Sequence, residues 1–441
     1  MDIGQNHYYK DLLEKIRTKN IKIGIIGLGY VGLPLALTFC ENNIKVIGLD
    51  IKKTIINSLL AGKSYIHHIN SLRIKKQIDN KYLIPTNDFS NIEKVDVIII
   101  CVPTPLDRHR EPDLSFILST LDSIKKYLFK GQILSLESTT YPGTTDEVIK
   151  PIIESEGFKI GKDFFLIYSP EREDPGNKLY QTNNIPKILG GNSILCSEIG
   201  KNIYEQIIPE VVLLSSTKAA EMTKLIENIH RAVNIGLVNE LKPLSDCLGI
   251  DLYEVIRAAA TKPFGFTPFY PGPGLGGHCI PIDPYYLTWK AKEYGMNMRF
   301  IELAGEINSS MPQYVINKLA ECLNKKCKSI NKSKILILGV AYKKNVDDLR
   351  ESPSLEIIDI LIKQGAVVNY NDPYFPELPS VRKYNFNIKN VTLNKKNIMQ
   401  YDCAILLTDH DSFDYDLIKE NSKLIIDTRG KFELSDNIVR S

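Results

Sequence analysis

One stretch near the start of the chain restricts its fold more than any other: an apolar run, a glycine-rich turn and a helical segment, in that order. Residues 21–26 are a short apolar run, which predicts a buried parallel strand. The turn after it has the pattern Gly-x-Gly-x-x-Gly over residues 27–32, and residues 33–41 predict a helix. A second strand over residues 45–50 ends on Asp50. This order is typical of a βαβ unit, so we expect a doubly wound sheet.

The same alternation of strands and helical segments continues along the chain, stops, and then returns. Further apolar runs predict three more strands in the first half and four strands in the second. They are residues 95–102, 132–137 and 164–168, and then 334–339, 366–370, 404–407 and 424–427. Residues 216–248 have a helical period instead, and we expect Pro243 to kink or interrupt this helix near its end.

The predicted fold is therefore α/β, with two Rossmann-like doubly wound parallel-sheet domains joined by a long central helix. The length of 441 residues suits two to three domains. We place them at residues 1–215, 216–325 and 326–441, the middle one being helical. An apolar stripe on the central helix predicts a homodimer or higher homo-oligomer. Its members are Leu225, Ile229, Val233, Leu237 and Leu241.

Composition narrows the possible partners. The formal net charge of +3 is too small to argue for nucleic acid or a membrane surface as a partner. The N-terminus is polar, and no segment reaches the roughly 18 apolar residues of a membrane span. The eight cysteines form no C-x-x-C pair and the seven histidines no metal-ligand spacing. We therefore expect no metal site and a cytoplasmic location. Ahead of the first strand, residues 11–16 predict a short amphipathic helix.

The glycine turn and Asp50 together predict a dinucleotide cofactor. Gly27, Gly29 and Gly32 let the backbone approach a pyrophosphate at a helix N-terminus, where the helix dipole favours anions. Asp50 lies 18 residues after Gly32, where a carboxylate accepts hydrogen bonds from the adenosine ribose. The same carboxylate repels the 2′-phosphate of NADP, so NAD is the predicted cofactor. The other cofactor residues of this turn and of the loop after the third strand are Tyr30, Val31, Pro103 and Thr104.

A loop rich in glycine and proline presents one cysteine. Five of the eight residues from 272 to 279 are Gly or Pro, which is not typical of a helix or strand interior. Cys279 ends this stretch, and Asp283 follows four residues later. A cysteine in such a loop is a candidate nucleophile, because its thiolate is the reactive form and responds to nearby charge. The alternative is a small buried hydrophobic residue, as most cysteines are.

Polar groups on the central helix and after the fifth strand are further candidates. Lys224 and Asn228 are four residues apart and share one helix face, so we expect them to point into a cleft beside the cysteine loop. A solvated helix flank is the alternative. Glu171 follows the fifth strand at the carboxyl edge of the sheet, where it is a candidate general base. An ion pair with Arg172 is the alternative for this carboxylate.

In this order the motifs resemble those of the UDP-glucose/GDP-mannose dehydrogenase family, and the similarity covers about residues 22–429. The motifs are the glycine turn, Ser138 with Thr139, residues 169–171, Lys224 with Asn228, residues 276–279 with Asp283, and Lys343 with residues 350–352. The resemblance implies NAD-dependent four-electron oxidation of the C6 alcohol of a UDP-hexose to a carboxylate. It also implies that Cys279 forms a thiohemiacetal and then a thioester, which water hydrolyses.

The resemblance further implies a role for each residue of these motifs. Lys224 and Asn228 stabilise the developing oxyanion, and Glu171 removes a proton. Asp283 and Thr139 place the water. Ser138, Thr139 and Arg350 join the cofactor residues. The implied substrate contacts are Glu171, Arg172, Lys224, Asn228, Tyr270, Gly274, Gly276, Lys343 and Arg350. The alternative for Lys343 and Arg350 is that they are surface cations beside the two aspartates between them.

Within the family, the chain is most similar to the branch that acts on UDP-N-acetylglucosamine. The stretches that carry this similarity are residues 62–66, 105–113, 262–266 and 269–272. The UDP-glucose branch has a lysine where this chain has Ile282, and an arginine ahead of the cysteine loop where the nearest cation is Lys262. We therefore expect a UDP-hexosamine substrate, oxidised for surface polysaccharide precursors. UDP-N-acetylmannosamine, UDP-N-acetylgalactosamine and UDP-glucose stay open as alternatives.

Two other classes of protein fit parts of the pattern. A single-step hydroxyacid dehydrogenase with two Rossmann-like halves would need no nucleophilic thiol. A scaffold that senses NAD would bind the cofactor and oxidise no UDP-sugar. His67 and His68 have no role that the sequence assigns.

Overall fold

The computed structural model describes residues 6–66, 69–107, 109–172, 184–277, 280–381 and 383–441. The strands within them are β1 (Lys22–Ile26), β2 (Lys45–Leu49), β3 (Leu83–Thr86), β4 (Val97–Ile100), β5 (Ile133–Leu136), β6 (Phe165–Tyr168), β7 (Lys187–Gly191), β8 (Val211–Leu214), β9 (Lys334–Leu338), β10 (Val367–Asn371), β11 (Cys403–Leu406), β12 (Ile425–Asp427) and β13 (Ile438–Arg440). The helices are α1 (His7–Arg17), α2 (Gly32–Glu41), α3 (Lys53–Leu60), α4 (Ser71–Asp79), α5 (Ser115–Ile124), α6 (Lys150–Ser155), α7 (Ile194–Tyr204), α8 (Thr217–Leu248), α9 (Leu252–Ala259), α10 (Asp283–Lys292), α11 (Arg299–Asn324), α12 (Pro353–Lys363), α13 (Lys395–Ile398) and α14 (Tyr415–Asn421).

The first compact unit comprises residues 6–227 and 285–296 and is built on an eight-stranded sheet. Its strand order is β3-β2-β1-β4-β5-β6-β7-β8, and all neighbours are parallel except β6 with β7. From β1 the chain adds β2 and β3 on one side and then β4 and the later strands on the other side, so the strand order reverses between β1 and β4. Doubly wound sheets bind ligands at this switch point, at the carboxyl ends of the strands. The predicted doubly wound fold is confirmed.

Both faces of this sheet are buried. Ile23 and Ile25 of β1 belong to a core that also contains Leu33 of α2, whereas Ile26 belongs to a second core. Alternate residues of a strand point to opposite faces, so a strand that is buried on both faces has to be apolar throughout. This double burial explains why an uninterrupted apolar run predicted the strand.

The second compact unit comprises residues 228–284 and 297–441, as far as they are described. Its five strands have the order β10-β9-β11-β12-β13, and all neighbours are parallel. This is a second doubly wound arrangement, with its own switch point between β9 and β11. The predicted second Rossmann-like sheet is confirmed.

The two sheets open with the same turn. Gly27 has a φ angle of 92° and donates its N–H to the Leu49 carbonyl at 2.8 Å. Gly339 has a φ angle of 84° and donates its N–H to the Asn371 carbonyl at 2.9 Å. Only glycine adopts this left-handed backbone without strain. The second half therefore retains the turn geometry of the first, although its Gly-x-Gly-x-x-Gly pattern is lost.

The central helix α8 runs from Thr217 to Leu248 through Pro243, so of the two predicted effects, a kink or an interruption, the interruption does not occur. A helix-interior proline removes one hydrogen bond. Its neighbours Asn239, Lys242 and Ser245 are all buried, and packing of a helix face stabilises a helix more than propensity does. Among the described residues, no helix is both long and apolar enough to span a membrane.

Four strands were missed by the sequence prediction: β3, β7, β8 and β13. β3 and β8 form the edges of the first sheet and β13 an edge of the second. β3 contains Pro85, and β7 ends in Gly190 and Gly191. Edge position and these residue types weaken the apolar pattern that identifies a strand, so tertiary pairing decided these four elements.

Candidate active site

The candidate nucleophile Cys279 lies outside the described residues, together with its neighbour His278. His67, His68 and Arg108 of the stretches singled out in the sequence also lie outside them. The remaining predicted site residues are described.

The glycine turn of the first unit is shaped by close backbone contacts. A Cβ atom at Gly27 would lie 2.7 Å from the Cys101 carbonyl oxygen, and one at Gly32 would lie 2.0 Å from the Gly27 carbonyl oxygen. No side chain larger than hydrogen fits at either position. A Cβ atom at Gly29, by contrast, would meet nothing within 4 Å. The open side of the turn is therefore at Gly29, at the start of α2, where a pyrophosphate would be bound by backbone N–H groups.

Asp50 closes this turn from the end of β2. One carboxylate oxygen accepts the N–H of Leu28 at 3.0 Å, and the other accepts the N–H of Lys52 at 2.9 Å. Tyr65 donates its hydroxyl to the Leu28 carbonyl. Burial and the nearby charge of Asp50 raise the pKa of Tyr65, so this phenol stays a donor. Each Asp50 oxygen can accept a further hydrogen bond, so the carboxylate fits the ribose hydroxyls of a dinucleotide.

The loops after β4 and β5 lie beside the turn at the carboxyl edge of the sheet. Ser138 donates its hydroxyl to the Val102 carbonyl at 2.7 Å, which ties the two loops together. Thr104 is buried, and its carbonyl accepts the hydroxyl of Tyr286 at 2.7 Å. Thr139 is half-buried. These contacts, the open side at Gly29 and the Asp50 carboxylate form a cradle that fits NAD.

Glu171 follows β6 and is contacted through its main chain by Lys224 of α8. The Lys224 ammonium donates to the Glu171 carbonyl oxygen at 2.6 Å. Lys224 is only 7% exposed, so it is not part of a solvated helix flank. One oxygen of the Glu171 carboxylate accepts the N–H of Arg172 at 2.7 Å, whereas the Arg172 guanidinium pairs with Glu227 at 2.7 Å. The structure thus brings Glu171 and Lys224 together.

Asn228, further along α8, belongs to the second unit and contacts Asp283. Its amide nitrogen donates to an Asp283 carboxylate oxygen, and its amide oxygen accepts from the guanidinium of Arg231. Asn228 and Asp283 are 1% exposed each. The two partners, Asp283 and Arg231, orient the amide, so that its N–H points at the carboxylate. The sequence predicted a role for both residues but not their direct hydrogen bond.

The glycines ahead of the cysteine pack against the turn that follows β9. A Cβ atom at Gly276 would lie 2.6 Å from Cβ of Tyr342, and one at Gly277 would lie 2.9 Å from a ring carbon of Tyr342. The Gly277 N–H donates to the Arg350 carbonyl at 2.8 Å. Gly274 has a φ angle of 129°, which favours glycine. Close packing against the Tyr342 side chain therefore explains why residues 276 and 277 are glycine.

The two predicted cations of the second unit differ in their surroundings. The Arg350 guanidinium forms a two-pronged ion pair with Asp348, with N–O distances of 3.0 and 2.6 Å. This agrees with the alternative of a cation beside the aspartates, although the side chain is still 41% exposed. Lys343 is half-buried. Tyr270 is 44% exposed and stacks on Tyr253, with ring centroids 6.2 Å apart.

Several buried or half-buried groups at the carboxyl edges were missed by the sequence prediction. They are Tyr65, Glu137, Lys187, Glu221, Tyr286, Arg429 and the pair of Asp372 with His410. Asp372 follows β10 as Asp50 follows β2. Its carboxylate accepts the N–H of Val340 at 2.7 Å, and the same oxygen lies 3.0 Å from a ring nitrogen of His410. For Asp372, the signal available in the sequence was a strand that ends in a carboxylate. No local sequence pattern predicts the burial of the other groups.

Models of three domains of one family match the chain in sequence. They are the NAD-binding domain, the central domain and the UDP-binding domain of the UDP-glucose/GDP-mannose dehydrogenase family, matched by residues 21–208, 218–310 and 336–433.

Individual relatives match almost end to end. A UDP-N-acetyl-D-glucosamine 6-dehydrogenase of Pseudomonas aeruginosa is 35% identical over 90% of this chain and 92% of its own. A UDP-N-acetyl-D-mannosamine dehydrogenase of Methanococcus vannielii is 35% identical over 95% of this chain and 94% of its own. The solved structure of a UDP-D-ManNAc dehydrogenase from Pyrococcus horikoshii is similar with a TM-score of 0.85 and 32% identity, covering 95% of this chain and 98% of that one.

Proposed function

The chain belongs to the UDP-glucose/GDP-mannose dehydrogenase family, and on that premise we propose that it oxidises the C6 alcohol of UDP-N-acetylglucosamine to the carboxylate. The family is one of NAD-dependent oxidoreductases that act on nucleotide sugars, so NAD is the oxidant. The product, a UDP-N-acetylglucosaminuronic acid, is an activated donor for surface polysaccharide. UDP-N-acetylmannosamine is the second candidate substrate, because relatives named for that sugar are as similar in sequence.

The observation that carries this proposal is the hydrogen bond between Asn228 and Asp283, beside the cysteine loop of the sequence. Asp283 lies four residues after Cys279, and a carboxylate there serves the hydrolysis of a thioester on that thiol. Burial and the amide of Asn228 hold the Asp283 carboxylate in one orientation, from which it can place a water molecule. A single-step hydroxyacid dehydrogenase would need neither the thiol nor this carboxylate.

The oxidation needs four electrons and one covalent intermediate. The alcohol first loses a proton to Glu171 and a hydride, which leaves an aldehyde. The Cys279 thiolate adds to the aldehyde carbon, and the oxyanion of the resulting thiohemiacetal loses a second hydride to become a thioester. Water then cleaves the thioester, releasing the carboxylate and restoring the thiol. NAD⁺, held at the glycine turn and Asp50, would supply the hydride acceptor for each of the two oxidations.

The remaining residues stabilise charge and bind the ligands. The ammonium of Lys224 stabilises the oxyanion on the substrate, with the Asn228 amide as a neutral donor. Thr139 orients the water with Asp283. Gly29, Asp50 and the loops at Thr104 and Ser138 hold the dinucleotide. The UDP-sugar contacts are assigned to Arg172, Tyr270, Gly274, Gly276, Lys343 and Arg350.

A substrate panel tests this proposal. Purified protein is mixed with NAD⁺ and, separately, UDP-N-acetylglucosamine, UDP-N-acetylmannosamine, UDP-N-acetylgalactosamine and UDP-glucose. We expect NADH with UDP-N-acetylglucosamine, in a ratio of two per uronic acid formed. No NADH with any of the four would contradict an enzyme of this kind. One NADH with free aldehyde would contradict the thioester route.

Cys279→Ser is the matched variant for the same assay. Loss of the thiol stops the reaction before the second oxidation, so we expect no uronic acid, while binding of NAD measured by fluorescence is unchanged. Near wild-type turnover by this variant would indicate the single-step class of dehydrogenase instead. Cys247→Ser, at an exposed thiol on α8, is the control substitution and is expected to be fully active.

A further inference from the structure

A buried network of charged groups lies beside Glu171 in the first unit. Lys187, the first residue of β7, is 4% exposed, and its ammonium lies 2.9 Å from one carboxylate oxygen of Glu137. The other oxygen of Glu137 accepts the hydroxyl of Tyr204 at 2.5 Å. Ser135 Oγ lies 2.9 Å from the same hydroxyl, and the Lys187 ammonium lies 4.9 Å from the centroid of the Tyr204 ring. Three elements, β5, β7 and α7, thus converge on one buried ion pair.

The same ammonium also reaches the segment that contains Glu171. Lys187 Nζ donates to the Pro170 carbonyl at 3.3 Å and lies 4.0 Å from a Glu171 carboxylate oxygen. Lys224 holds the following carbonyl, that of Glu171, at 2.6 Å. Two consecutive carbonyl groups are therefore each held by a lysine, and the Glu171 side chain faces one of them.

Lys187 stays charged in this environment. Burial lowers the pKa of its ammonium, but the charges of Glu137 and Glu171 outweigh that effect, and the net shift is upward. For Glu137, burial is the largest effect and raises the pKa, the charge of Glu171 acts in the same direction, and Lys187 acts against both. The three groups are coupled, so that a change of charge at either Lys187 or Glu137 alters the field at Glu171.

We propose that Lys187, anchored by Glu137 and Tyr204, is a positioning residue for Glu171: it fixes the Pro170–Glu171 segment and places a positive charge 4.0 Å from the Glu171 carboxylate. This inference rests on the general-base role assigned to Glu171 under the proposed function. Removing or adding a charge at this distance from a carboxyl group changes the field at that group, so the pH dependence of a reaction that uses it as the base responds to such a substitution.

Other titratable and charged groups also face this segment, and the test has to separate their effects. The groups on the elements packed around Glu171 are Cys101, Glu137, Arg172, Lys187, Tyr204 and Lys224. Cys101 is half-buried, and burial raises the pKa of its thiol, so it stays neutral near pH 7. Tyr204 is neutral for the same reason.

Two single substitutions that change the charge near Glu171 in opposite directions provide the test. The acid limb of the pH profile of kcat/KM reports the base in the free enzyme. Lys187→Met removes a positive charge, so the limb is expected to move to higher pH by about one unit. Glu137→Gln removes a negative charge and retains a partner for Tyr204, so the limb is expected to move to lower pH. The double variant is expected to lie between the two, and Lys187→Arg to match the wild type.

Loss of stability alone cannot produce this result. A variant that is merely destabilised loses kcat without moving the limb, and two destabilised variants do not move it in opposite directions. An unmoved limb in both single variants overturns the proposal. Lys187→Met leaves Glu137 unpaired, and if that variant does not fold, Glu137→Gln and Lys187→Arg provide the test. The limb is then expected to move to lower pH in Glu137→Gln and to match the wild type in Lys187→Arg.

The matched control is another buried lysine of the same unit. Lys290 is 6% exposed and pairs with Glu147 at 2.7 Å, outside the network around Glu171. Lys290→Met is expected to lower the unfolding midpoint without moving the limb. Wild-type protein that forms no NADH with any UDP-sugar contradicts the proposed function, whereas active wild type with unmoved limbs contradicts only the role of Lys187.

Discussion

At the scale of single residues, the interior of the first unit changes the chemistry of one carboxyl group in particular. Glu221 of α8 is fully buried, and its two oxygens accept the N–H of Gly143 at 2.6 Å and the N–H and hydroxyl of Thr145 at 2.9 and 2.7 Å. Burial raises its pKa from 4.5 to about 7, against the hydrogen bonds, which lower it. The carboxyl group thus ties α8 to the turn that follows Thr139.

The titration of Glu221 predicts a pH-dependent stability. Between pH 4.5 and about 7 the folded protein retains a proton that the unfolded chain has released, so stability falls as pH rises through this range and levels off above it. The stability lost across this pH range is about 3 kcal/mol, because a shift of one pKa unit corresponds to about 1.36 kcal/mol. Urea denaturation at pH 5 and pH 8 measures it.

Glu221→Gln is expected to remove this part of the pH dependence. The amide does not titrate, although its NH₂ group cannot accept the Gly143 N–H, so the variant is less stable overall. Glu154→Gln, an exposed residue of α6, is the control and is expected to follow the wild type. Equal differences between pH 5 and pH 8 for wild type and Glu221→Gln would contradict the assignment.

At the scale of elements, α1 precedes the segment that matches the family's NAD-binding domain. The family match begins at residue 21, after this helix ends at Arg17. Leu12 and Ile16 of α1 are buried in the core of the first sheet, and Tyr9 donates its hydroxyl to Glu198 at 2.7 Å. Lys15 pairs with Asp96 at 3.0 Å. The sequence predicted a shorter helix over residues 11–16, because only its apolar positions are distinctive.

Leu12→Ala is expected to destabilise the first unit by about 2–5 kcal/mol, because it removes buried methyl groups and leaves a cavity. The glycine turn and the loops of the candidate site do not contain Leu12, so KM for NAD is expected to be unchanged. Thermal unfolding and steady-state kinetics measure the two effects. Leu60→Ala on α3 is the control, since Leu60 is 56% exposed. A wild-type unfolding midpoint for Leu12→Ala would show that α1 adds no stability.

At the scale of the whole molecule, α8 presents an apolar stripe that its own chain leaves exposed. Leu225, at the start of the predicted stripe, is buried, but Leu237 is 54% exposed and Leu244 is 55% exposed. Leu241 and Leu248 are 39% and 63% exposed. These four residues recur at helical spacing, and a contiguous apolar patch of this kind typically marks an interface. It supports the proposed homodimer.

Light scattering measures the mass of the assembly directly. We expect at least twice the 49.9 kDa of one chain for the wild type, and the monomer mass for Leu237→Glu/Leu244→Glu, because buried charges without partners oppose association. Ile194→Glu, at a residue of α7 that is 70% exposed, is expected to leave the mass unchanged. A monomeric wild type would contradict the proposal.

Local pattern was sufficient for the parts of this protein that depend on neighbouring residues. The apolar runs predicted β1, β2, β4, β5 and β6 to within a few residues, because strands buried on both faces have to be apolar throughout. The glycine turn with Asp50 predicted the cofactor, because its geometry is set within one βαβ unit. Spacing also placed Lys224 and Asn228 on one helix.

Tertiary structure decided what joins residues that are distant in the chain. The sequence contains no sign that Asn228 bonds to Asp283, that Lys187 pairs with Glu137, or that Pro243 is tolerated inside α8. Hydrogen bonds across 50 or more residues depend on how the elements pack, and the pKa of a carboxyl group such as Glu221 depends on its burial. The amino-acid sequence therefore determined the class of fold and of chemistry, while packing set the charges and orientations on which that chemistry depends.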